Sequence, residues 1–266
     1  MKRRSFIKSS FIAGSVSGIM PVLTHAEQTD MSKKQNREFY ELRIYNLKNE
    51  TQQRIVENYY ESAAIPALNR LGSSNIGVFT ELKPEGQTRI FVLTPYRSFD
   101  DFLTKQDQLL NDKFYLKSAE AYLNAPPAEP AYDRIESSFL QAFRHMPAIV
   151  PPAKKSRIFE LRRYESPNEP AGKKKIEMFN DAGEIEIFKR TGLNPVFFGE
   201  TLIGSNRPNL TYMLTHEDMA AHDRNWKQFG SDPEWKRISS IPEYADAKII
   251  SHISATFLSP ASFSQI

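Results

Sequence analysis

The sequence predicts an α+β chain in which one strand-helix-strand-strand-helix-strand unit is used twice. Three observations carry that prediction. Five segments recur in the same order at a spacing of 118–121 residues. They are Phe39–Tyr45 with Ile158–Tyr164, Gly77–Phe79 with Pro195–Phe197, Phe91–Thr94 with Tyr212–Thr215, Asp112–Tyr115 with Asp232–Trp235, and Ser138–Leu140 with Thr256–Leu258. Coincidence among short apolar runs would not hold the spacing steady, so this is a duplication. Between the copies, Pro147, Pro151 and Pro152 interrupt helix and strand alike and mark a linker. Finally, hydrophobic periodicity gives both copies one element order.

Each copy opens with an alternating strand, Tyr40, Leu42 and Ile44 against Glu41, Arg43 and Tyr45 in the first. A helix is expected from about Thr51 toward Leu71, broken at Pro66 and stopped by Gly72. Its repeat runs from about Gly172 to Thr191 and stops at Gly192. Two short strands follow, 76–82 with 89–94 and 196–201 with 210–215, joined through Pro84-Glu85-Gly86 and Gly204-Ser205-Asn206. A second helical region, 99–110 and 217–229, precedes closing strands near 134–143 and 248–258. This is the ferredoxin-like order, one sheet with helices on one face. Two such units in one chain can press their bare sheet faces into a single barrel-like core. The expected divisions are a leader at 1–26, a polar lead-in at 27–37, units at 38–146 and 158–259 around a linker at 147–157, and a tail at 260–266.

The leader reads as an export signal. Lys2, Arg3, Arg4 and Lys8 precede the first acid, Glu27, and the apolar run Phe11–Leu23 ends at the small residue Ala26. The run is too short for a bilayer, which takes about 20 residues. Arg3-Arg4-Ser5-Phe6-Ile7-Lys8 resembles the twin-arginine motif. That resemblance implies export of a folded chain to a periplasmic or extracytoplasmic location, with a cofactor permitted but not required.

Composition excludes several chemistries. The 266 residues contain no Cys, hence no disulfide framework, thiolate zinc site, cysteine-ligated cluster or catalytic thiol. The net charge of +3 belongs to the leader: without residues 1–26 the chain has 31 Lys+Arg against 32 Asp+Glu. Nucleic-acid partners and a lasting membrane anchor are therefore not expected. No phosphate loop, nucleophile elbow or deaminase signature occurs.

The Tyr-Glu-Leu-Arg-x-Tyr opening, the Gly72 and Gly192 stops, the Gly77-Val78-Phe79 strand and the Asp232-Pro233-Glu234-Trp235 segment resemble the NIPSNAP family over both copies. The resemblance implies a dimeric α/β-barrel, closed here within one chain. It implies no single activity, because that barrel group includes haem-degrading and quinone-forming monooxygenases, haem-binding peroxidase-like proteins and plain binding proteins. The expectation is a small-molecule-binding protein. A cofactor-poor monooxygenase or haem-using enzyme and an envelope interaction module are the alternatives, and homo-oligomerisation stays open. The first copy has Tyr115 where the second has Trp235, so a site carried by that region belongs to the second.

Three groups of residues could carry chemistry. Alternation is expected to turn Glu41, Arg43, Tyr45, Glu160, Arg162 and Tyr164 into the barrel, where they converge. They would be either a pocket in which Arg grips an anion or a structural ion-pair lattice. His216 and His222 stand six apart, too far round for one helix face, and Pro95 and Phe102 occupy their places in the first copy. Asp218 and His222 share a helix face. These histidines serve as surface and capping groups or contact a ligand or haem; a metal would need outside ligands such as His252 or Glu200, and none is expected. Trp226, Phe229, Pro233 and Trp235 either pack or form an aromatic wall. The runs Lys173–Lys175 and Lys154–Arg157 read as solvated faces.

Overall fold

Strand pairing closes both copies into one barrel. The computed structural model describes residues 36–84 and 86–266, so the leader and most of the lead-in lie outside the described residues. Half one comprises β1 (Phe39–Leu47), α1 (Glu50–Tyr59), α2 (Ile65–Arg70), β2 (Gly77–Glu81), β3 (Thr88–Tyr96), α3 (Phe99–Leu110), α4 (Lys113–Ser118), α5 (Glu120–Leu123) and β4 (Arg134–Ala142). Half two comprises β5 (Ile158–Glu165), α6 (Glu169–Asn180), α7 (Glu184–Arg190), β6 (Pro195–Ile203), β7 (Asn209–His216), α8 (Met219–Ser231), α9 (Pro233–Ser239), α10 (Asp246–Ile249) and β8 (His252–Pro260). The strands run β1-β3-β2-β8-β5-β7-β6-β4, every neighbour antiparallel. The halves meet at the β2–β8 and β4–β6 seams. At the second seam a Cβ on Gly199 would come within 3.0 Å of Leu140 Cβ, so glycine permits the approach.

The duplication is written into the helix starts. Asn49 and Asn168 cap α1 and α6, Ser98 and Asp218 cap α3 and α8, and Asp112 and Asp232 cap α4 and α9, each side chain accepting from a first-turn N–H. Gly72 and Gly192 stop the preceding helices at φ 86° and 79°.

Two local expectations are corrected. Pro66 does not break its helix: a π turn at Tyr60–Ala64 carries the chain from α1 into α2, which takes Pro66 in its first turn where no N–H is needed. The repeat helix is instead two, split at Gly183, whose φ of 92° a helix cannot hold.

The larger correction concerns strand faces. Tyr40, Leu42 and Ile44 point into the barrel, with Phe79, Phe91, Phe159, Phe197, Leu140 and Met213. Tyr45 and Tyr164 instead belong to the cores beneath the two helical layers. The Glu-Arg-Tyr sets therefore lie under separate helices and do not converge. Aromatic and aliphatic side chains fill much of the barrel interior. A recess of about 290 Å³, lined by Leu42, Ile44, Arg163, Ser254 and others, remains where β1 and β5 end.

The basic runs are also not uniformly solvated. Lys175 is 1% exposed, donates to buried Glu184 at 3.1 Å and sits against the Tyr164, Phe179 and Trp235 rings. Burial, set against the pull of Lys175, pushes the Glu184 carboxyl up.

Candidate functional site

In half one the Glu-Arg-Tyr set is a closed lattice. Glu41 accepts from Arg43 Nε and Nη2 at 3.0 and 2.9 Å and from Ser137 Oγ at 2.7 Å. Arg43 Nη1 donates to Tyr45 Oη at 3.2 Å. The Tyr45 hydroxyl shares hydrogen bonds with Tyr60 and Tyr122 at 3.0 and 2.9 Å. Over the Glu41 end of β1 stand Tyr96 and Phe102, their rings perpendicular and 5.2 Å apart. Each member of the set is satisfied by protein.

Half two repeats the lattice and opens its end. Glu160 Oε1 accepts from Arg162 Nη1 at 2.6 Å, Arg162 Nη2 donates to Tyr164 Oη at 3.2 Å, and the Tyr212 hydroxyl donates to Tyr164 at 3.1 Å. The register opposite Arg162 holds Ala255 where half one has Ser137 opposite Arg43. Glu160 Oε2 takes other partners. Trp226 Nε1 donates to it at 2.9 Å, and His216 Nε2 and His222 Nε2 each lie 3.5 Å away.

The two histidines meet because a strand ends where a helix begins. His216 closes β7 opposite Ile158, just as Tyr96 closes β3 opposite Phe39. His222 sits in the first turns of α8, and the imidazole rings are 5.1 Å apart and nearly perpendicular. His222 contacts Phe257 as Phe102 contacts Phe139. The counterpart of His216 is thus Tyr96, not Pro95; Phe102 does match His222.

Burial and charge then set the chemistry. Burial opposes ionisation of Glu160, but hydrogen bonds and charge from His216, Arg162 and Trp226 outweigh it and hold the carboxyl at about 2. The His216 side chain is fully buried; its Nε2 stands 3.5 Å from Glu160 Oε2, and its Nδ1 has no partner among the described residues. Leaving such a group unpaired costs about 1–3 kcal/mol, which a purely structural residue has no reason to incur. His216 lines a cavity of about 560 Å³, between the linker residues Met146, Val150 and Pro152 and the α8 residues Ala221, Arg224 and Asn225. A fixed carboxylate beside the imidazole orients the ring.

Of the residues expected from the sequence, Glu160, Arg162, Tyr164, His216, His222 and Trp226 come together. Glu41, Arg43 and Tyr45 form their own lattice in half one. Trp235 packs on Phe229 at 4.4 Å, apart from the groups that touch Glu160. The cavity's linker wall and the cations Lys155, Arg157, Lys189 and Arg224 were not among the expected residues. The one signal for them was the basic run directly after the prolines. Among the described residues no group of three or more His, Asp or Glu is arranged to hold a metal ion.

The NIPSNAP family profile matches residues 40–145 and again 159–265. A candidate monooxygenase from Fusobacterium nucleatum superposes with a TM-score of 0.56 at 9% identity, over 85% of this chain and 93% of that one. A second, from Lactobacillus acidophilus, gives 0.55 at 8% identity over 84% and 94%. A NIPSNAP-like domain protein of Burkholderia xenovorans is 19% identical over 41% of this chain and 89% of its own, with a TM-score of 0.36. No curated protein matches. At these identities the two barrels share the fold with this chain, and only that.

Proposed function

The chain belongs to the NIPSNAP family, and from that premise we propose that it is an exported small-molecule-binding protein whose site is the cavity of half two. The supporting observation is the cavity itself, which borders His216 where that residue stands 3.5 Å from an ionised Glu160, an arrangement half one lacks. The volume lies within the ~300–1,000 Å³ of small-molecule sites. Export rests on residues 1–26 alone.

Mass spectrometry of molecules that co-purify with the protein tests the site. A compound retained by the wild type and lost from Val150→Trp, which fills the cavity from its exposed linker wall, is the expected result. Equal recovery from both proteins would place the ligand elsewhere.

A second reading, an acid–base enzyme of the monooxygenase-type barrels, draws on the same pair. Glu160 would hold His216 to take a proton from a bound substrate and stabilise the imidazolium that results. In a haem-using version His216 would be the residue to hold the group, which would supply the redox chemistry. Haemin titration distinguishes that version through a Soret shift that His216→Ala removes.

A further inference from the structure

Unsatisfied buried polar atoms are few among the described residues, and half of them belong to two residues that line one cavity. Six buried side-chain atoms lack a partner among the described residues, and three of these are Arg157 Nε and the two nitrogens of His216. Both residues line the half-two cavity. Arg157 is held there by its neighbours: its Nη1 donates to the Lys155 carbonyl at 2.9 Å, and its guanidinium lies 5.5 Å from the centre of the Phe159 ring. Its Nε–H is left over. His216 has Glu160 Oε2 3.5 Å from its Nε2, so Arg157 is the buried donor without an acceptor, and it asks for an acceptor group from outside the chain.

The charges around the cavity specify that group further. Its lining carries four cations, Lys155, Arg157, Lys189 and Arg224, against one acid, Glu217. Glu217 is taken by Lys155, and Lys189 pairs with Glu186 outside the cavity. Arg224 has no ion pair among the described residues, and nothing on the cavity wall offsets Arg157. Inside this cationic rim the wall is apolar, with Met146, Val150, Pro152, Pro195 and Ala221. A small inorganic anion would leave most of 560 Å³ against apolar surface, and a neutral hydrocarbon would leave the donors and cations unanswered.

Resting on the cavity assignment above, we infer that the ligand is an organic anion with an apolar body. Its carboxylate, sulfonate or phosphate accepts from the Arg157 guanidinium. Exposed Arg224 draws it in, and its hydrocarbon part lies on the linker and β6 wall. The linker thereby acquires a task beyond joining the halves, since Val150 and Pro152 complete the site.

The test compares two fluorescent probes of nearly equal body, anilinonaphthalene sulfonate and the uncharged phenylnaphthylamine, titrated into the purified protein and its variants. The sulfonate is expected to bind at one site, more tightly than the amine. Arg157→Gln and Arg224→Gln should each weaken it about fivefold to tenfold while leaving the amine unchanged. Arg224 is exposed and unpaired, so Arg224→Gln keeps the test valid if Arg157→Gln does not fold. Val150→Trp should weaken both probes. Equal affinity for the two probes, or sulfonate binding indifferent to Arg224→Gln, would overturn the anion assignment and leave the cavity assignment standing. If neither probe binds, or Val150→Trp affects neither, the cavity assignment itself falls and the anion assignment with it.

Discussion

Half one and half two carry the same Glu-Arg-Tyr ladder in the same register, and they differ in what covers its glutamate end. Over Glu41 lie Ser137, Tyr96 and Phe102; over Glu160 lie Trp226, His216 and His222. The first cover closes the ladder. The second leaves His216 Nδ1 without a partner and borders a 560 Å³ cavity. The ladder, present in both copies, forms a polar network between sheet and helices in each. Function, on this reading, comes from the few positions at which the duplicate diverged.

The largest test of the comparison removes each glutamate. Glu41→Ala and Glu160→Ala both leave a partly buried arginine without its carboxylate and should each lower the unfolding free energy by about 1–3 kcal/mol in urea titrations. Only Glu160→Ala should also abolish probe binding in the cavity. Loss of binding on Glu41→Ala, in a protein still folded, would break the division of labour.

Acid should expose the same carboxylate. The Glu160 group is held at about 2 when folded, against ~4.3 for a free glutamate. Its stabilisation is therefore complete above that value and is lost as pH falls from ~4.3 through about 2. Asp101 of half one is also held at about 2, where hydrogen bonds to Arg97 and Lys105 outweigh its burial. Glu160→Gln should thus flatten part of the acid limb of a stability–pH curve and leave part in place.

Smaller effects sharpen the contrast. Tyr45→Phe removes a hydroxyl bonded to Arg43, Tyr60 and Tyr122 and should cost about 1–2 kcal/mol, with no change in ligand affinity. Gly183→Ala, at φ 92°, should cost about 1 kcal/mol in thermal unfolding.

How much of this was legible follows from how local each signal is. The repeat, the linker prolines and the glycine stops are local, and they give the element order and the duplicated barrel. Strand faces are not local. Alternation separates Tyr40, Leu42 and Ile44 from Glu41, Arg43 and Tyr45, but here both sides of the strand are buried, one in the barrel and one under helices. Period two says that the faces differ, not which layer each meets. The polar set went under the helices, where tyrosines and a tryptophan reach it with hydroxyl and indole donors. Gly183 hid inside an otherwise helical pattern. The His216–His222 pair was obscured because six residues do not fit one helix; a strand end turning into a helix brings them together instead. The cavity's linker wall had no periodic signal at all.

The most direct measurement rebuilds half one's cover in half two. In His216→Tyr with His222→Phe, Glu160 keeps Arg162 and Trp226, and the imidazoles are replaced by the pair that covers Glu41. Titration with anilinonaphthalene sulfonate, alongside urea unfolding, should show binding weakened at least tenfold and stability unchanged or raised, because a buried imidazole without a good partner costs about 1–3 kcal/mol. Undiminished binding in that folded double variant would contradict the assignment of the site to His216 and its departure from half one.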